Sequence, residues 1–249
     1  MRIAFIIPAH NEESLIGRTV AACAAAGRAC GEPFEIVVAC DACTDRTAEI
    51  AAGLGARVVS VDRRIIAAVR NAGARAAIEA GPELLFFVDA DTSPPVASVQ
   101  EAIASVKNGA IGGGAMFTFD GTVPLGVRWT SWVMSTIMRT MRLTGGCYLF
   151  CTRAGYMAVG GWDETLLVSE EITMAQSLKR HGRFEIVRTP VPTSGRKLRT
   201  YSTWEIVSLL VRGILRPSMR RDRSQLALWY GPRREDPQET TREQTERAR

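Results

Sequence analysis

Two carboxylates one residue apart, Asp89 and Asp91, follow the uninterrupted apolar run Leu84-Leu85-Phe86-Phe87-Val88. Such a run reads as a strand covered on both faces. A buried strand does not lead into unpaired charge without a large free-energy cost. Asp89 and Asp91 therefore belong at the strand's exit, where something positive can meet them. Two close carboxylates suit a divalent cation carrying a phosphate, since Mg²⁺ takes one or two protein carboxylates together with substrate oxygens. Asp89-Ala90-Asp91 also reads as an ordinary solvated turn before the helix that Pro94-Pro95 introduces, and taken alone the tripeptide favours that turn.

The elements that must position these acids alternate. Ile3 to Ile7 is a short apolar strand ending at Pro8, Glu13 to Ala26 an Ala-rich helix, and Phe34 to Cys40 a strand ending at Asp41. Thr44 to Gly53 reads as a helix, Arg57 to Val61 as a strand, and Ile65 to Ala80 as a helix packed through its alanines. This pattern implies an α/β fold, a mostly parallel central sheet with helices on both faces. Sheets of that kind bind ligands at the carboxyl ends of their strands. Three strands deliver polar segments to that rim: Pro8-Ala9-His10-Asn11-Glu12, Asp41-Ala42-Cys43-Thr44-Asp45 and Asp89-Ala90-Asp91. A solvated turn accounts for one such segment but not for three, so the convergence favours a ligand site.

The second half is less regular. Ala110 to Phe119 reads as a Gly-loosened strand, Val127 to Leu143 as a helix, and Cys147 to Thr152 as a strand. A turn at Gly160-Gly161, a helical stretch from Ser169 to His181, a short strand from Phe184 to Val187 and an amphipathic helix from Trp204 to Leu215 follow. These complete the sheet without forming an independent domain.

With 249 residues, 46% of them hydrophobic, the chain can bury a full core. It holds no apolar run of spanning length, and Met1-Arg2 leads directly into a strand pattern, so the expected location is cytoplasmic. The six cysteines are then expected as reduced thiols. Cys40-x-x-Cys43 with Cys147-x-x-x-Cys151 has the residue types of a zinc quartet, yet each pair straddles a strand end and reads as small core residues. The formal charge of +5 does not come from residues 231–249, a polar tail holding five Arg and five acids that is expected to be disordered. Lys197, Arg199, Arg212, Arg216, Arg220, Arg221 and Arg223 make the last third of the folded part basic, which favours phosphates or an anionic membrane surface. No nucleic-acid motif accompanies them, and nucleic acid is not expected as a partner. In the 127–143 helix, Arg128, Arg139 and Arg142 share one face and Trp132, Val133, Ile137 and Met141 another. That pattern fits a helix lying on the inner face of the cytoplasmic membrane, and equally a core-facing helix with a solvated back.

Taken in order, these segments resemble the family 2 glycosyltransferases of the GT-A fold, over about Arg2 to Leu198. The resemblance rests on Ile6-Ile7-Pro8-Ala9-His10-Asn11-Glu12, Asp41-Ala42-Cys43-Thr44-Asp45-Arg46-Thr47, Arg70-Asn71-Ala72-Gly73, Val88-Asp89-Ala90-Asp91-Thr92 and Gly160-Gly161-Trp162-Asp163-Glu164 with Ser169-Glu170-Glu171. It implies a small, non-processive enzyme using a nucleotide-sugar donor, a UDP-sugar first among the candidates, with Mn²⁺ or Mg²⁺ and a sugar or lipid-linked acceptor. It implies that Pro8, Ala9, Asn11, Glu12 and Asp41 hold base and ribose and that Arg70 contacts the nucleotide. Asp89, Ala90 and Asp91 would carry the ribose and the metal-bound diphosphate, with Asp91 as metal ligand and Asp89 as ribose or supporting contact. The acid pair Glu170-Glu171 would supply the base. A single domain over residues 1–230 follows, with a nucleotide-binding half (1–92) and an acceptor and catalytic half (93–230).

The chemistry agrees. Breaking a sugar–diphosphate bond leaves negative charge that a metal on Asp91 would stabilise, and an acceptor hydroxyl needs a carboxylate to take its proton. Inversion at the anomeric carbon is what the resemblance implies. The family's Glu-Asp is Glu170-Glu171 here, which puts Glu171 in the base's place. Both could equally be first-turn acids complementing a helix dipole. The Gln-x-x-Arg-Trp motif of processive synthases is missing. Thr193-Ser194-Gly195-Arg196-Lys197 resembles a basic segment of small family members, where Arg196 would clamp the diphosphate or belong to a solvated loop. His10 is expected to shape the first loop and His181 to sit at a helix end. The rivals are a sugar-1-phosphate nucleotidylyltransferase, which would want a Gly-rich first loop, and a nucleotide-sugar-binding protein without transferase activity, kept open by Glu171.

Overall fold

The computed structural model describes residues 1–120, 144, 146–196, 200 and 222. The expected helices at 127–143 and 204–215, Lys197, the arginines from Arg199 onward and the 231–249 tail lie outside the described residues. The first half forms β1 (Ile3–Ala9), α1 (Ile16–Cys30), β2 (Phe34–Asp41), α2 (Thr47–Gly53), β3 (Arg57–Val61), α3 (Ile66–Ile78) and β4 (Leu84–Val88). The chain continues through α4 (Val96–Lys107), β5 (Ala110–Phe119), β6 (Tyr148–Thr152), α5 (Arg153–Ala158), α6 (Glu170–His181) and β7 (Arg183–Thr193).

These strands make one sheet of seven in the order β3-β2-β1-β4-β6-β5-β7. The pairs β1/β2, β1/β4, β2/β3 and β5/β7 are parallel, and β6 runs antiparallel between β4 and β5. In-register pairing of Ala9 with Cys40 and of Ile6 with Phe87 brings the carboxyl ends of β1, β2 and β4 to one rim. Burial is two-sided, as the apolar runs require. On one face Phe5, Ile7, Val38, Phe86 and Phe150 pack with Val20 and Cys23 of α1 and Val99 of α4. On the other, Ile6, Val37, Phe87 and Leu149 pack with Ala74 of α3, Tyr156 of α5 and Met174 of α6. Gly73 sets the approach of α3 to the sheet: a Cβ there would stand 2.7 Å from Cγ2 of Ile6. Among the described residues no helix is long and apolar enough to cross a membrane.

Several boundaries differ from the sequence reading, and three of the differences have a plain physical cause. β1 runs two residues further, through Pro8; past Ile6 its β4 side is unpaired, so a residue without an N–H is tolerated there. α1 begins at Ile16, not Glu13, because the amides of Glu12 and Glu13 donate to Thr47 Oγ1 and Asp45 Oδ2 at 2.7 and 3.1 Å. β7 extends through Pro190 and Pro192 to Thr193, which an edge strand paired only with β5 permits. The cysteines divide between the two faces: Cys40 and Cys147 belong to the α1 side and Cys151 to the α3 side, so the four cannot share one metal.

Candidate active site

The rim is laced together by side chains before any ligand is considered. Asn11, with φ of 52°, accepts from the Thr44 amide at 2.8 Å and donates to Thr44 Oγ1 at 3.1 Å, tying the β1 loop to the β2 loop. His10 Nδ1 lies 2.6 Å from the carbonyl of Asp41 and its Nε2 lies 2.9 Å from Nη1 of Arg64. It shapes the loop, as expected. Asp41, itself buried, accepts the amides of Arg63 and Arg64 on Oδ1 at 2.8 and 3.1 Å, so that one carboxylate oxygen holds the β3 loop. Pro8 and Ala9 are buried strand residues that contribute backbone at the rim.

The Asp89-Ala90-Asp91 turn is fixed from three sides. Thr19 of α1 donates to the Ala90 carbonyl at 2.7 Å in a buried contact. Asp91 Oδ1 accepts from Oγ1 of Thr92 and of Thr193 at 3.3 and 3.2 Å, and the Ser194 amide donates to the Asp91 carbonyl at 3.1 Å. The end of β7 is therefore sewn onto the turn, and it carries Arg196 to the rim. Arg196 Nη2 donates to both carboxylate oxygens of Glu12 at 3.2 and 3.3 Å, joining the last described segment to the first loop. Thr19, Thr92 and Thr193 escaped the sequence reading because a threonine hydroxyl leaves no pattern until its partner is known.

Arg70, which the resemblance assigns to the nucleotide, is held among two carboxylates, a carbonyl and an indole ring. Its side chain is 1% exposed. Nη1 donates to Glu170 Oε1 at 2.6 Å, and Nη2 to Asp89 Oδ1 at 2.8 Å and the Gly146 carbonyl at 2.9 Å. The guanidinium stacks on the Trp162 ring, 4.6 Å from its centroid. The next residue, Asn71, donates to the Trp162 carbonyl at 2.9 Å and accepts from its amide at 2.9 Å, with Tyr156 adding a hydroxyl at 2.7 Å. Gly161 permits this: its φ is 81°, and a Cβ would stand 2.9 Å from Asn71 Oδ1.

The two glutamates at the start of α6 thereby acquire different environments. Glu170 is 5% exposed and ion-paired with Arg70. Glu171 is half-buried, its carboxyl lying over Gly146, whose Cβ position would be 3.4 Å from Glu171 Cδ. Burial, and then the negative charge of Glu170, push its pKa up to about 8. An acid whose dominant neighbour were the helix dipole would be shifted downward; here burial and Glu170 outweigh that effect. His181, by contrast, bonds the Ser177 carbonyl at 2.9 Å at the far end of the same helix.

Asp89 and Asp91 offer hard carboxylate oxygens, the donor set that Mg²⁺ and Mn²⁺ take. Among the described residues no group of three or more His, Cys, Asp or Glu is arranged to hold a metal unaided. Two carboxylates at a rim fit an ion whose remaining ligands come from a bound diphosphate and water. A separate cleft of 410 Å³, lined by Arg75, Tyr156, Met157 and Glu164, touches none of these acids.

The family described as "Glycosyl transferase family 2" matches residues 4–159. Over 118 residues the chain is 32% identical to undecaprenyl-phosphate 4-deoxy-4-formamido-L-arabinose transferase of Pectobacterium carotovorum subsp. carotovorum (strain PC1), and 35% identical to the protein of that name from Pseudomonas aeruginosa (strain LESB58). Each match covers 43% of this chain but only 34% and 33% of the relatives, so it spans about a third of their length. A mannosyltransferase from Pyrobaculum calidifontis in complex with GDP-Man and Mn²⁺ aligns with a TM-score of 0.66 at 17% identity, over 92% of this chain and 68% of that one. Glucosyl-3-phosphoglycerate synthase from Mycobacterium tuberculosis, in complex with Mn²⁺ and UDP-glucose, aligns with a TM-score of 0.53 at 17% identity, over 88% and 78%. These structures share the GT-A fold with this chain. On the family match across most of its described sheet, the chain belongs to glycosyl transferase family 2.

Proposed function

We propose that the protein transfers a sugar from a nucleoside-diphosphate donor to an acceptor hydroxyl in a single, inverting displacement. The observation that supports this reading is the convergence of Asp89, Glu170 and the Gly146 carbonyl on Arg70, as a donor-side acid and an acid pair serving one site would require. The donor's base and ribose would lie against Asp41 and the Pro8–Glu12 segment. Its diphosphate would lie at Asp91, within reach of Arg196 once that guanidinium leaves Glu12. Asp91, with Asp89 beside it, would hold Mn²⁺ or Mg²⁺, which when bound supplies Lewis-acid stabilisation of the departing diphosphate. Glu171 takes the acceptor's proton as its oxygen attacks the anomeric carbon, and the sugar–phosphate bonding pair leaves with the diphosphate. Glu170 cannot share that task while its carboxylate is ion-paired in the core. A pKa of about 8 makes Glu171 a stronger base than an ordinary carboxylate once ionised.

Titration calorimetry with UDP and GDP, with and without Mn²⁺, tests the donor half. We expect metal-strengthened binding of one nucleotide, UDP first, that Asp91→Ala abolishes. Binding indifferent to metal and to Asp91→Ala would overturn the assignment.

A second reading concerns the acceptor. The curated relatives are named for transfer involving undecaprenyl-phosphate. A polyprenyl phosphate attacking through an already ionised oxygen needs no general base, so Glu171→Gln would then leave turnover nearly unchanged. It would also require contact with a membrane surface, which flotation with anionic liposomes at low and high salt would reveal.

A further inference from the structure

Arg70 occupies an unusual position for a charged residue. It lies one turn into α3, on a helix face otherwise made of Ala67, Ala74 and Ala77, and is almost wholly buried. A buried guanidinium persists only where carboxylates and carbonyls meet it with good geometry. Here its two terminal nitrogens reach segments 19, 76 and 100 residues away in the chain: Asp89 after β4, Gly146 before β6 and Glu170 at the start of α6. Among the described residues its buried Nε has no hydrogen-bond partner. The residue is therefore held by its fork and by the Trp162 ring, with the Trp162 turn in turn held by Asn71.

The consequence concerns Glu171, which Arg70 does not hydrogen-bond. Both supports of that carboxyl are fixed by Arg70: Glu170 is its chain neighbour, and Gly146 is the backbone over which it lies. The same Nη2 that holds the Gly146 carbonyl also holds Asp89. We propose that Arg70 is a positioning residue that sets the separation between the donor-side carboxylate Asp89 and the base Glu171, and that it does not contact the nucleotide. This role rests on the sugar-transfer reading above and goes beyond it. Lysine cannot replace it, because one ammonium on a flexible stem cannot span both carboxylates and the carbonyl in a fixed plane.

The test is steady-state release of UDP or GDP from UDP-glucose, UDP-N-acetylglucosamine and GDP-mannose by the wild type, Arg70→Lys, Glu170→Gln and the double variant, with UDP·Mn²⁺ calorimetry on each. For Arg70→Lys we expect kcat to fall about 100-fold, the scale of a misplaced catalytic group. Donor KM and the Kd for UDP·Mn²⁺ should stay within about threefold of wild type, because Asp91, the principal metal ligand of the proposed site, is held by Thr92 and Thr193 and not by Arg70. Glu170→Gln keeps an acceptor oxygen for Nη1, so it should fold even if Arg70→Lys were to fail to, and should lower kcat about tenfold. The double variant should be no slower than Arg70→Lys, as expected of groups acting as one unit. A KM or Kd raised tenfold with kcat preserved would make Arg70 a nucleotide contact and overturn the inference. So would full activity in Glu170→Gln and Arg70→Lys alike. A wild type that neither binds nor turns over any donor would sink the sugar-transfer reading itself, and the role of Arg70 with it.

Discussion

Nη1 of Arg70 donates to Oε1 of Glu170 at 2.6 Å across a hundred residues of chain, and both side chains are buried. Breaking such a pair on one side leaves an uncompensated charge in the core. We expect Arg70→Met to lose about 3–5 kcal/mol of folding stability, read as a lowered midpoint in urea. A loss below about 1 kcal/mol, the size of an exposed pair, would mean that water reaches this guanidinium in solution.

Glu171 should respond to pH in the opposite sense to a salt-bridged acid. Its folded pKa is pushed from an ordinary 4.5 up to about 8 by burial and by Glu170. A raised carboxyl stabilises the fold fully below its unfolded pKa, and that contribution is lost as pH climbs through the folded value. Glu171→Gln should therefore unfold at a higher temperature than the wild type at pH 9 and at the same temperature near pH 4. Turnover should rise with pH toward about 8 as the base ionises, and a rate limb centred near 4.5 would contradict the environment described.

Much of this rim is legible in the sequence. The runs Ile3 to Ile7, Phe34 to Cys40 and Leu84 to Val88 are apolar and end in polar segments, so both the strands and the direction of their exits can be read. β7 was harder, because Pro190 and Pro192 argue against a strand until its place at the sheet edge is known. That edge position matters, since it delivers Thr193 to Asp91 and Arg196 to Glu12. The destination of Arg70 could not be read, because its partners are 19 to 100 residues distant. A signal was present, however: one arginine inside an Ala-rich helix face must either snorkel or find buried acids. The division of labour between Glu170 and Glu171 is equally hidden, as neighbours on a helix point about 100° apart and only the fold says toward what.

Close packing of α3 should be as sensitive as its charges. A Cβ at Gly73 would stand 2.7 Å from Ile6 Cγ2. Gly73→Ala should cost about 1–3 kcal/mol by overpacking, despite alanine's better helix propensity. Because α3 carries Arg70, turnover should fall further than stability requires. Stability raised by the substitution would show that the helix has room to move.

Among the cysteines, Cys43 should be the reactive one. Hydrogen bonding from the Cys40 thiol lowers its pKa to about 7, whereas burial raises Cys23, Cys147 and Cys151. Iodoacetamide at pH 7.5 (about that value, near the thiolate midpoint) should label Cys43 first, located by peptide mass spectrometry. Cys43 Sγ also bonds the Ala9 carbonyl at 3.5 Å within the proposed donor loop, so UDP should slow the labelling. First labelling at Cys23 or Cys151 would contradict the burial described.

In the proposed reaction Asp91 serves the donor and Glu171 the acceptor's proton. Its most direct measurement is release of nucleoside diphosphate from a panel of UDP- and GDP-sugars by the wild type, Asp91→Asn and Glu171→Gln, with Mn²⁺ present or chelated. We expect one donor to be cleaved by the wild type only with metal. Asp91→Asn should lose metal-dependent binding and turnover together, while Glu171→Gln should bind the donor normally and lose about 100-fold or more in kcat. Metal-independent cleavage, or full activity in Glu171→Gln with a hydroxyl acceptor, would contradict it.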